Sequence, residues 1–238
     1  MNSKKTKNMK KSYVILSLLL VSVFSKTALA QRFLPAFNNF SGKKESLLVN
    51  QKGDTIHFFI KDLDRKKGLI VNVEGKTLDG QKFEYNAEEI TFMALAPSDL
   101  AKLGATSETT SSINRIQKRD MKELSRDYAL FYQEYLEDKK RTVLLQLVNP
   151  TFCEKIRVYD DPFASQTGGV SYGGMQVTGG DDKSYYVKFN GKTERLKKKE
   201  YNEKAEAYYS NCSKFKEQYK KTKWVDFEEH IWFNENCQ

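Results

Sequence analysis

A chain of 238 residues, 39% hydrophobic and 13% aromatic, carries enough apolar side chain for one sizeable core and is not a disordered polymer. Its net charge of +9 hints at a nucleic-acid ligand, but six of its 40 basic residues are lysines within residues 1–30, where no acid occurs. Without that segment 34 basic residues face 31 acidic ones, too even a balance for binding a phosphate backbone, so no nucleic-acid partner is expected.

In chain order, Lys4, Lys5, Lys7, Lys10 and Lys11 precede an apolar run from Tyr13 to Phe24, and Ala28-Leu29-Ala30 follows. Basic, then apolar, then small-x-small is the order of a secretory signal peptide, here cut after Ala30. The run is short of the ~20 residues that a membrane-spanning helix needs. The expectation is a signal peptide over 1–30 and a mature chain with no transmembrane segment. Its destination is the periplasm, the cell surface or the medium. Residues 31–43 read as a lead-in and 44–238 as a single domain, with an alternative division into β-rich subdomains 44–105 and 128–238.

Strands are expected over Glu45–Gln51, Thr55–Ile60, Gly68–Glu74, Lys82–Tyr85 and Thr91–Ala96. Their apolar residues alternate, and glycine-bearing turns at Gly53-Asp54 and Asp79-Gly80 part them, which is the pattern of a β-meander. Pro97-Ser98 opens a short helix stopped by Gly104, and Ile113–Arg126 has helical spacing. Tyr128–Glu137 and Arg141–Val148 pair around a charged turn, with helix as the other reading of Tyr128–Leu136. Lys155–Tyr159 adds a strand. Six glycines make residues 164–182 the least regular stretch. Ser184–Phe189 and Lys192–Leu196 flank Asn190-Gly191, a pair suited to a two-residue turn with positive φ at both positions. Helices are expected over Lys197–Ser210 and Val225–Phe233. This order defines an α+β class, mainly antiparallel β-sheet with a few short helices and a C-terminal helical segment, rather than alternating βαβ units.

The motifs give little chemistry. Gly169-Val170-Ser171-Tyr172-Gly173 fits the G-x-S-x-G nucleophile elbow, with Asp226 and His230 downstream in hydrolase order. The elbow needs a buried strand before it and a helix after it, whereas Ser171 is flanked by glycine-rich sequence on both sides. Gly75-Lys76-Thr77 and Gly191-Lys192-Thr193 end like phosphate-binding loops, but Ile70 and Tyr186 stand where the first glycine is required. With His57 and His230 as the only histidines, no zinc or haem site is expected. Asp160-Asp161 and Asp181-Asp182 offer carboxylates without the register of a calcium loop, and read as turn residues. No cofactor is therefore expected. Of three cysteines, Cys212 and Cys237 are the expected disulfide, because a bridge there would tie down the C-terminus, and Cys153 is left as a buried thiol. The run from Lys214 to Lys223 has the composition of a solvated helix face, or of a contact with an anionic polymer or with headgroups.

Gly53-Asp54-Thr55-Ile56, Leu144 to Pro150, Lys155 to Pro162, Asp182 to Lys188, Arg195 to Tyr201 and Cys212 together resemble a group of uncharacterised exported proteins of Bacteroidota. The resemblance covers most of residues 44–238. It implies export and a β-rich domain, and carries no catalytic residue. The expected function is a periplasmic or cell-surface binding or envelope-associated module, with an envelope polymer or a protein as partner. Ser171, Tyr172, Asp181 and Asp182 in the glycine-rich stretch are the candidate contact residues. The rival is a hydrolase of envelope or extracellular polymers whose carboxylates are not located by the sequence.

Overall fold

Twelve strands, three whole α-helices and, at 99–102 and 127, the described parts of further helical segments, the first of them where a short helix is expected after Pro97-Ser98, are seen in the computed structural model, which describes residues 33–102, 127–164, 170–172, 175–178 and 183–237. Five strands come first: β1 (Ser46–Asn50), β2 (Thr55–Lys66), β3 (Leu69–Thr77), β4 (Lys82–Asn86) and β5 (Ile90–Leu95). The hairpin β6 (Ala129–Leu136) and β7 (Arg141–Gln146) follows the expected helix Ile113–Arg126, which lies outside the described residues. Next come β8 (Arg157–Tyr159), β9 (Val170–Tyr172), β10 (Met175–Thr178), β11 (Ser184–Phe189) and β12 (Lys192–Lys197). Helices α1 (Tyr201–Tyr208), α2 (Phe215–Gln218) and α3 (Phe227–Glu235) end the chain. All strand pairings are antiparallel, so the fold is mainly antiparallel β with a few short helices.

The first sheet closes on itself. Its order is β2-β1-β5-β6-β7-β3-β4, and β2 also pairs with β3, so six strands make a barrel and β4 extends from β3. Strand β2 makes closure possible by its length. Thr55–Phe58 pair with β1, and Phe58–Lys66 pair with β3. Irregular register at Ile60/Asp62 and at Asp64/Arg65 supplies the extra bend that a small barrel requires. The sheet is thus not the simple meander expected. The division into 44–105 and 128–238 would cut this barrel, because β6 and β7 complete a wall begun by β1 to β5.

Alternation along β6 shows how the barrel fills. Ala129 and Phe131 point into the interior with Leu48, Phe58, Val73, Ile90 and Met93. Leu130 and Leu136 point outward, to a second apolar layer with Val143, Leu145, Tyr159 and Tyr186. Both faces of β7 are covered, which explains its unbroken apolar run Val143-Leu144-Leu145. At Gly75 the barrel wall admits no side chain, since an added Cβ would stand 2.6 Å from Phe83 and 2.7 Å from Phe58. Those rings meet edge-on across the glycine, with centroids 5.2 Å apart.

The outward layer is roofed by a second sheet, β12-β11-β8, joined to the barrel by a bridge between Leu147 and Tyr159. The turn at Asn190 (φ 49°) and Gly191 (φ 78°) takes the two-residue geometry read from the sequence. Behind this sheet the three helices enclose an aromatic cluster of Tyr201, Tyr208, Tyr209, Phe215, Trp224 and Phe227. Cys212 and Cys237 are bonded across it, with Cα atoms 5.7 Å apart, and Cys153 is free. The lead-in is stitched into the domain rather than apart from it. Leu34 N–H donates to Val148 O at 2.7 Å, Phe37 N–H to Gln146 Oε1 at 3.0 Å, and Ser41 N–H to Ala96 O at 2.8 Å. Among the described residues no helix is long and apolar enough to cross a membrane.

Candidate functional site

The barrel wall has a fork. Along one edge strand β3 meets β7 at Ile70, opposite Leu144, and then meets β4 from Asn72, opposite Asn86. Val71 stands at the changeover. It is also the extra residue of a bulge, since its neighbours Ile70 and Asn72 face the consecutive residues Arg65 and Asp64 of β2. Bulges re-aim side chains and end pairing, and they recur at barrel rims beside binding sites. Here the parting strands leave an open cleft of about 270 Å³, lined by half-buried Val71 and by buried Ala87 of the 3-10 turn Ala87–Glu89. Lys66 from the end of β2 and Arg141 from the start of β7 bring positive charge to it, Asn86 and Thr142 bring an amide and a hydroxyl, and Glu88 one carboxylate. The volume is near the lower bound for small-ligand sites. Such a lining suits a polar group with negative charge, held by two cations and neutral hydrogen-bonding side chains.

Two buried carboxylates lie on the other side of the barrel wall, where it meets the second sheet. Glu134 of β6 is 4% exposed, and its oxygens accept from Tyr159 Oη at 2.5 Å, Thr193 Oγ1 at 2.6 Å and Lys188 Nζ at 3.0 Å. Asp161, 2% exposed, accepts from Arg195 Nε and Ser184 Oγ, each at 2.6 Å, and from Phe163 N–H at 3.1 Å. Both carboxylates are engaged by internal donors: Glu134 clamps the barrel strand β6 to the second sheet, and Asp161 ties β11 and β12 to the turn after β8 within that sheet. Burial, and then the charge of Glu134, push the Tyr159 hydroxyl far above its ordinary pKa, which keeps it a donor. The use of Asp161 by Arg195 and Ser184 also accounts for the half of the Asp160-Asp161 pair that reads as a calcium ligand. Among the described residues no cluster of three or more His, Cys, Asp or Glu side chains has the arrangement of a metal site.

Of the contact residues read from the sequence, Ser171 and Tyr172 belong to β9, whose partner is β10, with Ser171 opposite Gln176. This hairpin is more regular than the glycine content suggests. It also removes the strand-turn-helix context of a nucleophile elbow. Asp181 and Asp182 lie outside the described residues. His230, the candidate base, is wholly buried and its Nδ1 is held by Tyr201 Oη at 2.5 Å. Cys153 is half-buried. Burial raises its thiol pKa, with Arg157 opposing, which makes it a poor nucleophile. The sequence reading missed the cleft, since Lys66, Asn86 and Arg141 come from three elements that only the fork brings together. It also missed the Glu134 clamp. The signal there was a carboxylate in phase with Leu130, Tyr132 and Leu136 on the apolar face of a strand.

No family model matches the chain, and no curated protein and no solved structure shows significant similarity to it.

Proposed function

We propose that the chain is an exported, envelope-associated α+β binding module, and that the cleft at the barrel fork seats an acidic group of an envelope polymer. The observation that carries this reading is the composition of the cleft: Lys66 and Arg141 against the single carboxylate Glu88, with Asn86 and Thr142 beside the apolar Val71 and Ala87. A carboxylate or phosphate on a hydroxyl-rich chain matches those groups, and a rigid barrel holds them in place without closing around the ligand. Export is supported by the order of charge and apolarity in residues 1–30 and by the bond between Cys212 and Cys237, which belongs to an oxidising compartment. A binder rather than a hydrolase is favoured because the buried carboxylates Glu134 and Asp161 are both engaged by internal donors.

The test is calorimetric titration of the mature chain with solubilised acidic envelope polysaccharide fragments, with mass spectrometry of the fragments afterwards. Binding is expected without any change in fragment mass. Arg141→Gln combined with Lys66→Gln should weaken binding roughly tenfold or more, as expected for loss of two charge-assisted contacts. Equal affinity of the double variant would remove the cleft as the site. Cleavage that disappears in Glu88→Gln would instead make the chain a hydrolase.

A further inference from the structure

A second surface lies on the C-terminal lobe and shares no residue with the cleft. Two lysine runs more than twenty residues apart in sequence are brought together there. Lys198 and Lys199 follow β12, and the Lys198 N–H donates to the Lys183 carbonyl at 2.9 Å, which sets Lys183 beside them. Lys220, Lys221 and Lys223 belong to the segment between α2 and α3. That segment is pinned over the same end of the sheet from both sides. Thr222 Oγ1 donates to Asn202 Oδ1 at 3.2 Å, and the Trp224 ring packs on Tyr201 and Tyr185 with centroids 5.7 and 5.9 Å away. All six lysines are exposed, and among the described residues none of them has an ion-pair partner. Three other lysines of the lobe are spent locally, Lys197 on Glu200, Lys204 on Glu194 and Lys216 on Glu206, while exposed Lys214 has no ion pair among the described residues. The carboxylates of exposed Glu203, Glu217 and Glu229 and of half-buried Asp226 offset only part of the excess. Val225, 67% exposed, stands two residues beyond Lys223.

We propose that this lysine surface docks the protein onto an anionic phospholipid bilayer. Three features select a bilayer over a polyanionic chain. Every cation in the patch is lysine, a mobile point charge suited to a diffuse field of headgroups. Arginine, which reads discrete carboxylates or phosphates with its planar fork, is absent from it. The aromatic rings that would stack on a sugar are turned inward, with Trp224 only 7% exposed. An isolated apolar side chain at the rim of a basic patch suits the boundary between headgroups and acyl chains. The attraction is electrostatic, reversible and sensitive to salt, since among the described residues only Val225 adds an apolar contact to it.

The experiment is co-sedimentation of the mature chain with phosphatidylcholine vesicles, with and without phosphatidylglycerol, at low and high salt. Binding is expected to the phosphatidylglycerol vesicles alone, and to be lost at high salt. Each lysine near such a surface is worth about a fivefold step, so Lys220→Gln, Lys221→Gln and Lys223→Gln together should weaken binding on the order of a hundredfold. The three sites are exposed, and an unchanged circular-dichroism melt checks that the variant folds. Val225→Ser should weaken vesicle binding several-fold while leaving its salt dependence intact. Equal binding to both vesicle types, or a triple variant that binds like the parent, would overturn the proposal. So would capture by soluble dextran sulfate without any vesicle binding, which would assign the patch to a polymer. The Arg141→Gln, Lys66→Gln variant should bind vesicles normally, so failure of this surface is separable from failure of the cleft.

Discussion

At position 230 the chain buries an imidazole completely, among Tyr201, Tyr209, Phe215 and Tyr219, with the Tyr219 ring centroid 4.3 Å from its own. Desolvation lowers its pKa below the ordinary 6.5, and the nearby charges of Asp226 and Glu229 oppose this without prevailing. The neutral ring is therefore the folded form. As pH falls below about 6.5, the unfolded chain takes up a proton that the folded chain resists, so the stability that is present at pH 7 and above is progressively lost toward the lower folded pKa. We expect the melting temperature of the parent to drop by several degrees between neutral and mildly acidic pH, and that of His230→Gln to drop less over the same interval. Parallel pH profiles for the two proteins would show that this histidine does not set the dependence. The residue was visible in the sequence as a lone histidine without ligand spacing, but its burial was not, because the rings around it come from α1, α2 and the segments that follow each of them. Gly75 illustrates the same limit. It reads as part of a Gly-Lys-Thr triplet, and its real constraint is the meeting of Phe58 and Phe83 across it.

Among the elements, those with strong local signals were legible and those without were not. Strands β1 to β5 were legible in their alternation, save that β2 runs on from the expected end at Ile60 to Lys66, and the β11–β12 turn was legible in Asn190-Gly191. The helix face read over Lys214 to Lys223 is realised only as the single turn α2, Phe215–Gln218, too short a span for any periodicity to mark its ends. Hairpin β9–β10 was missed because its strands of three and four residues stand among glycines. The C-terminal elements share one device. The disulfide closes a loop of 25 residues that holds α2 and α3. Constraining a loop of that size in the unfolded chain stabilises the fold by about 3 kcal/mol. Cys237→Ser should lower the free energy of unfolding by roughly that amount and raise amide exchange first between α2 and α3, because the aromatic cluster under them loses its tie. A loss below about 0.5 kcal/mol would mean that ring packing alone holds these helices.

For the molecule as a whole, the antiparallel β class follows from the strand signals, and the closed barrel does not. A meander pairs neighbours in sequence, whereas closure depends on β1 with β5 and β3 with β7, pairings that no local pattern encodes. The cleft was hidden for the same reason, being a product of where β7 and β4 part along β3. What joins the barrel to the second sheet is the apolar layer of Leu130, Leu136, Val143, Tyr159 and Tyr186, with Glu134 reaching through it to β8, β11 and β12. A shared core of this kind should make the two sheets unfold together. Both tryptophans, Trp224 and Trp232, lie in the C-terminal lobe, so their fluorescence reports the lobe, while far-ultraviolet dichroism is dominated by the barrel strands. Urea transitions followed by the two signals should coincide in the parent. In Glu134→Ala, which leaves the Tyr159 and Thr193 hydroxyls and the Lys188 ammonium without their acceptor, both transitions should move to lower urea together, by about 2 kcal/mol of stability. A fluorescence midpoint well below the dichroism midpoint, in parent or variant, would mean that barrel and lobe are separate cooperative units and that the Glu134 clamp does not couple them.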